Sequence, residues 1–335
     1  MDAEEWIGLD QPGRWAAALQ GVPHSYWHTY EACRVASVNT GFPVFLYVWH
    51  GQNGRVVCPL MEREWHGSRD LTTPIGFSGL ATSTGALPEK FPESWVAALR
   101  NRLILAVYLA QHPLFAPVWP GRGETDGGTL YFIDLHEPPE QWLRRADRNR
   151  WRSIRAWDRA QSEWVRDRPA LTDFAVEHHS GFMRSVRASS ASYFTEEALL
   201  LLCSNPQVEL VGARDSQGIC TVAAFGATRW GSELLFHISV RGGRAFTAAL
   251  MWWGVQNYHG RVSTINLGGT PQENDALAAA KRRYRPREVA LRKLKLVVDP
   301  PKYAALCAES GVDADDLSGY FPAYRQPSMT RLSPL

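Results

Sequence analysis

Two stretches of this chain repeat one order of elements, and that repetition constrains the fold more than any single motif. In the first, FPVFLYVWH (42–50) and RVVCPLMERE (55–64) read as strands joined by the turn Gly51-Gln52-Asn53-Gly54. A helical segment near Glu93 to Arg102 follows, then the strand-like ILAVYLAQ (104–111). In the second, QVELVGA (207–213) and ICTVAAFGA (219–227) are joined by Asp215-Ser216-Gln217-Gly218, and ELLFHISV (233–240) adds a third strand. A helix from Ala245 to Tyr258, stopped at Gly260, leads to the strand VSTINLG (262–268). Hairpin, helix, strand thus occurs twice, which predicts a duplicated α/β unit of roughly 150 residues and excludes a short-period solenoid.

With 335 residues and 45% hydrophobic content, the chain exceeds one ordinary core, so two domains are expected. Glu137-Pro138-Pro139 breaks the chain before an arginine-rich amphipathic helix, expected from Glu140 to about Trp164, that bridges the halves. The predicted domains are 1–139 and 140–299. Residues 300–335 are expected to pack back on the first, because a free tail would not carry Tyr320, Phe321 and Tyr324 so close together. The apolar run near Leu103 to Ala110 is too short to span a bilayer, and MDAEEWIG has neither a basic nor a hydrophobic leader region. The expectation is a soluble, cytoplasmic protein with no membrane span. Cys33, Cys58, Cys203, Cys220 and Cys307 are scattered without a C-x-x-C pair, so buried thiols are expected rather than disulfides or a zinc site; no metal site is predicted.

A net charge of +2 conceals two basic blocks. Residues 144–159 hold seven arginines against two aspartates, and residues 281–295 hold eight basic side chains against Glu288. Such fields favour a polyanionic partner, although a solvated helix face or strand edge explains either block alone. Arg148, Arg152 and Arg155, at i, i+4 and i+7, share one helix face and are the first candidates for contact with such a polyanion, be it RNA, nucleotide phosphates or coenzyme A, joined by Arg241 and Arg283.

The second block belongs to the most informative segment, INLGGTPQENDALAAAKRRYRPREVALRKLKLVVDPPKY (265–303). An apolar strand runs into a glycine pair, a short helix follows, and a further strand ends at Asp299-Pro300-Pro301. Asn274 or Asp275 can cap the helix, Leu277, Ala280 and Tyr284 recur at helical spacing, and Pro286 stops it. This construction sets Lys281, on the exposed face, beside a strand-end loop.

That segment resembles the C-terminal signature of the Fem-type aminoacyl-tRNA-dependent peptidyltransferases, with Ala280 where the family carries phenylalanine. DLTTPIGFSG (70–79), AQHPL (110–114), TLYFIDL (129–135), RNRWRSIRAW (148–157), LLFHISV (234–240) and FPAYR (321–325) are similar to the family in order and spacing. The resemblance implies an α/β (α+β) fold of two tandem acyl-CoA N-acyltransferase-like (GNAT-like) domains, each a mixed sheet flanked by helices. It implies an acyltransferase that moves an amino acid from aminoacyl-tRNA to an amine of a peptide or peptidyl-nucleotide acceptor, with no cofactor. The acceptor is a peptide natural product, as in antibiotic biosynthesis, or a cell-wall (peptidoglycan) precursor.

The same resemblance suggests the site. Gly76 and Phe77 lie in a glycine-rich loop that lines an acceptor groove, and Tyr193 matches a family tyrosine at the acceptor phosphate, with Ser189 in place of the family's arginine. His112 falls where one branch carries an aspartate; as a histidine it suits proton transfer. His237 sits mid-strand on the face opposite Phe236 and Ile238, facing a cleft or, equally, hydrogen-bonded in the core. Lys281, with backbone near Gly268 and Gly269, is the expected oxyanion donor, and Asn266 and Tyr284 complete the substrate-binding set. No G-x-S-x-G, H-E-x-x-H or Walker loop occurs, which fits amine attack on an already activated ester.

Two alternatives stay open. One is a coenzyme-A-dependent N-acyltransferase, although at Val240–Phe246 the two glycine positions of its pyrophosphate turn hold Arg244 and Phe246. The other is a non-enzymatic RNA-binding adaptor.

Overall fold

Alternating runs and turn residues build twelve strands in the computed structural model, which describes residues 3–52, 54–120, 124–159, 163–240, 242–270 and 275–326. In chain order they are β1 (Ala3–Gly8), β2 (Val44–Gly51), β3 (Gly54–Trp65), β4 (Ser68–Thr72), β5 (Ala81–Thr82), β6 (Ile104–Gln111), β7 (Glu124–Asp134), β8 (Val208–Asp215), β9 (Gly218–Thr228), β10 (Gly231–Ser239), β11 (Thr264–Gly269) and β12 (Arg287–Val297). The helices are α1 (Pro12–Leu19), α2 (Tyr30–Thr40), α3 (Phe91–Asn101), α4 (Pro139–Arg145), α5 (Arg148–Arg159), α6 (Arg168–Ser185), α7 (Glu196–Ser204), α8 (Thr247–Tyr258), α9 (Ala276–Arg282) and α10 (Pro300–Glu309). No described helix is long and apolar enough to cross a membrane.

The described residues fall into two compact units, one within Met1–Pro23, Gly41–Gly127 and Arg292–Leu335, the other within His24–Thr40 and Gly128–Leu291. In the first, the sheet order is β1-β2-β3-β4-β6-β12, antiparallel except for the parallel pair β4/β6, and β5 pairs with β3. α3 packs on this sheet through Phe91 and Trp95. α10 and the segment 321–324 cover it through Tyr303, Phe321 and Tyr324, against Leu105 and Ala106. The lock is a fully buried carboxylate: Asp70 accepts from Arg63 at 2.6 Å, from Arg325 Nε at 2.5 Å and from the Tyr324 hydroxyl at 3.0 Å. With three donors on it, the desolvation cost of burying that charge is offset.

The second unit has the order β7-β11-β10-β9-β8, again antiparallel with one parallel pair, β10/β11. α8 is apolar nearly all round, from Ala248 to Val255, and is buried accordingly at the centre of its core. α2 joins this unit from early in the chain. Asn39 Nδ2 donates to the Tyr193 carbonyl at 3.0 Å, and Asn205 donates to the Tyr26 hydroxyl at 3.0 Å. All five cysteines are buried and none is in a disulfide.

The repeated order is real but crossed at its ends. β7 follows β6 in the chain yet pairs with β11, and β12 follows β11 yet pairs with β6 through Arg292–Val297. The bridging helix expected from Glu140 to Trp164 is two helices. Ala146 is extended, and Asp147 turns the chain by accepting from the Asn149 amide at 2.9 Å while donating its own N–H to the Arg283 carbonyl at 2.8 Å.

Candidate functional site

Among the described residues of the second unit, the one parallel pairing, β10/β11, is short. β10 and β11 are in register at Ser232/Ile265 and Glu233/Asn266, yet β10 runs on to Ser239 and β11 to Gly269. Bulges at Leu234/Phe236 and Asn266/Gly269 mark where each strand leaves the shared register. The result is a fork, open at the strands' C-terminal ends. Its crotch is held by the buried Asn266, whose Nδ2 donates to Glu233 Oε2 at 2.8 Å and whose Oδ1 accepts from the Gly268 amide at 2.9 Å. Gly268 has φ +76, a conformation that disfavours any side chain. Asn266 is therefore committed at both ends, and the Gly268 N–H is not available to an oxyanion.

Lys281 sits on the β11 limb. Asp275 caps α9 by accepting from the Ala278 amide at 2.7 Å; the alternative cap, Asn274, lies outside the described residues. In α9 Ala278 is buried and Lys281 half-buried, while Leu277 is exposed, so the face inferred from Leu277, Ala280 and Tyr284 is corrected by about one residue. The lysine is consequently not on an exposed face. Its Nζ donates to the Gly269 carbonyl at 2.7 Å and lies 5.6 Å from the Tyr131 ring centroid. Burial pulls its pKa down to about 7, against the opposing pull of the Asp275 carboxylate.

The β10 limb carries His237. Its Nε2 lies 3.1 Å from both the Thr221 and Ser239 hydroxyls, which are 2.8 Å from each other. Burial, and secondarily the Arg150 charge, lowers its pKa to about 4, so the ring is neutral at physiological pH. The expected alternation holds for His237 and Ser239; Leu235 falls in the bulge. Tyr284 is a core residue whose ring stacks on Trp142, at 6.2 Å between centroids and 10° between planes.

His112 belongs to the first unit, where it closes β6. Its Nδ1 accepts from the Leu114 amide at 3.3 Å, its ring stacks on Phe115, and its own amide donates to the Ser78 carbonyl at 3.0 Å. His112 is thus held as a buried residue that caps the end of β6. The Ser78 hydrogen bond brings the loop of Gly76 and Phe77 beside it, with Gly76 at φ +66 and Phe77 half-buried. Tyr193 is half-buried in the second unit.

Of the arginines, Arg148, Arg152, Arg155 and Arg283 are exposed, the first three along one face of α5, and Arg241 lies outside the described residues. Part of the second basic block is spent within the protein. Arg282 pairs with Glu288, Arg292 donates to the Ala116 carbonyl at 2.6 Å, and the buried Lys295 donates to the carbonyls of Leu317 and Gly319.

Sequence reading missed Arg150, Glu233, Thr221, Ser239 and Tyr131. Arg150 had a signal: it shares a stripe, at i, i+4 and i+7, with Ile154 and Trp157, the buried face of α5. A groove of about 570 Å³ between α2, α6 and α7, lined by Arg34, Arg168 and Leu200, contains none of the candidate residues. Its Arg168 is spent on the carbonyls of Asn205 and Val208.

No family model and no curated protein matches the sequence. Solved structures do. FemX superposes with a TM-score of 0.64 at 12% identity, over 90% of this chain and 99% of that one. The chain has the Fem-type tandem GNAT-like fold. The C-terminal domain of a putative lysylphosphatidylglycerol synthetase from Agrobacterium fabrum matches with TM-score 0.54 and 14% identity, over 90% and 95%. L-PGS from Bacillus licheniformis matches with 0.52 and 12%, over 86% and 92%.

Proposed function

We propose that this Fem-type chain is an aminoacyltransferase that moves an amino acid from aminoacyl-tRNA to an amine of a peptide or peptide-like acceptor. The observation that carries the reading is Lys281, a partly desolvated amine fixed by Gly269 at the open end of the β10/β11 fork. In the proposed reaction the acceptor ammonium gives a proton to neutral Lys281, and the freed amine attacks the ester carbonyl. The adduct's nitrogen gives up its second proton to solvent, and collapse releases the tRNA 3′-terminal hydroxyl, which takes the first proton back from Lys281, so one proton is released overall. One amide C–N bond forms and one ester C–O bond breaks. Proton transfer of this kind contributes about 10²–10⁴-fold, and alignment of the two reactants up to about 7–11 kcal/mol. This replaces the oxyanion role expected for Lys281, since a group with a pKa near 7 suits proton exchange better than fixed charge.

The exposed arginine face of α5 supports a polyanionic donor. The coenzyme A alternative is less well supported. Between β10 and α8 the 3-10 turn Gly243–Phe246 spends the amides of Gly243, Ala245 and Thr247 on its own carbonyls, and Gly243 approaches β9 so closely that a Cβ would lie 2.1 Å from the Cys220 carbonyl oxygen. Those are the amides a pyrophosphate needs. The adaptor alternative leaves the buried Lys281 unexplained. Incubation with a pool of charged tRNAs and candidate amines tests the reading: an RNase-sensitive mass gain of one aminoacyl residue is expected, and its absence across all tRNAs, with acetyl transfer from acetyl-coenzyme A instead, sinks it.

A further inference from the structure

Among the described residues, Arg150 has no counterpart for its charge. Its guanidinium carbon lies 5.0 Å from the Tyr284 ring centroid, at the end of a near-parallel series in which Trp252 and Trp142 are 5.9 Å apart at 8° and Trp142 and Tyr284 are 6.2 Å apart at 10°. Its Nε is buried and, among the described residues, has no hydrogen-bond partner; the same holds for the hydroxyls of Tyr284 and Tyr131. Both tyrosines are at least nine-tenths buried. No carboxylate of the described residues pairs with Arg150, and its charge reaches His237 on the β10 limb of the fork. Buried polar groups nearly always bond protein or ordered water, so a guanidinium Nε and a phenol with no protein partner suit the oxygen of a ligand. The guanidinium fork matches the oxygens of phosphate or carboxylate.

We propose that Arg150 is the anion anchor of the fork site, receiving a phosphate or carboxylate oxygen of a substrate, with the Tyr284 hydroxyl as a second donor. This rests on the transfer reading only for the owner of the anion: the 3′-terminal nucleotides of the donor or a carboxylate of the acceptor. Two probes separate the sources, the 5′-phosphorylated trinucleotide CCA and N-acetyl-dialanine, whose sole charge is a carboxylate. Each is titrated calorimetrically into the wild type, Arg150→Met, Arg150→Lys and Tyr284→Phe.

For the probe that uses the anchor, affinity should fall about 10- to 100-fold in Arg150→Met, as loss of charge-assisted hydrogen bonds implies, and a few-fold in Tyr284→Phe, with part recovered in Arg150→Lys. The melting temperature of Arg150→Met should be unchanged or higher, because an uncompensated charge is removed from a part-buried place. Failure of both probes to bind the wild type overturns the proposal, as does equal affinity in Arg150→Met. A lowered melting temperature in Arg150→Met, with Tyr284→Phe binding as the wild type does, assigns the arginine to packing and also overturns it. Arg150-dependent binding without any aminoacyl transfer would remove the reaction and leave the anchor.

Discussion

Replacing Lys281 by methionine keeps most of the buried stem and removes the amine, which separates chemistry from packing. With a pKa of about 7 in the folded protein, the neutral fraction rises from about one tenth at pH 6 to about nine tenths at pH 8. If the neutral form accepts the acceptor's proton, single-turnover transfer should rise roughly ten-fold across that window. The acceptor amine adds its own ascending limb, but that limb persists in Lys281→Met, whereas the limb near 7 disappears and the rate drops about 10²–10⁴-fold. Lys281→Arg should restore little, because a guanidinium does not release its proton at working pH.

On stability, Lys281→Met acts opposite to its effect on rate. The folded pKa lies below the unfolded value of 10.5, so between about 7 and 10.5 the unfolded chain binds more protons and stability rises with pH. Below pH 7 the cost of holding the ammonium is present in full. Each unit is about 1.4 kcal/mol, so even half the shift makes Lys281→Met about 2 kcal/mol more stable at pH 6, with the advantage gone by pH 10.5. The assays are quenched-flow transfer and denaturant melts across pH. A wild-type rate that falls above pH 7, or an unchanged limb in Lys281→Met, would refute the reasoning.

Substituting alanine at Arg148, Arg152 and Arg155 together should weaken tRNA binding and flatten its log–log salt dependence by roughly 0.7–0.9 for each phosphate no longer neutralised; an unchanged slope by filter binding counts against the α5 face. Acetyl-coenzyme A should neither bind nor serve as donor, because the amides of the 3-10 turn are already bonded, and a micromolar dissociation constant with acetylated product would reverse that conclusion. Asp70→Ala should destabilise the first unit by about 3–5 kcal/mol, since Arg63, Arg325 and Tyr324 lose a shared buried acceptor. A melting curve like that of the wild type would mean the lock is replaced by water.

Much of the architecture was legible because strand alternation and turn residues are local. The hairpins β2-β3 and β8-β9, the helices α3 and α8, and the strands β6 and β11 all lie where their patterns put them. The exchange of β7 and β12 was not, since nothing local in either strand says which edge it will pair with. Lys281 was found by its place after a glycine pair, but its orientation was misread: α9 is two turns long, and two turns of apolar spacing fix a face poorly when a lysine can reach a carbonyl behind it. His112 was selected as a histidine at a strand end, and only the Leu114 amide on its Nδ1 reveals a cap. Arg150 hid among seven arginines because charge counts ignore direction; its stripe with Ile154 and Trp157 was the informative pattern.

The central claim is that the fork of the second unit transfers an aminoacyl group with Lys281 handling the proton. One measurement meets it directly: preform the complex with a radiolabelled aminoacyl-tRNA, add a saturating amine acceptor, and follow label into RNase-resistant amide in the wild type and Lys281→Met at pH 8. The account predicts stoichiometric transfer in the wild type, abolished when RNase precedes acceptor addition, and transfer at least about 100-fold slower in Lys281→Met, with tRNA binding intact. Equal rates in the two proteins, or label that never leaves the tRNA in the wild type, would contradict it.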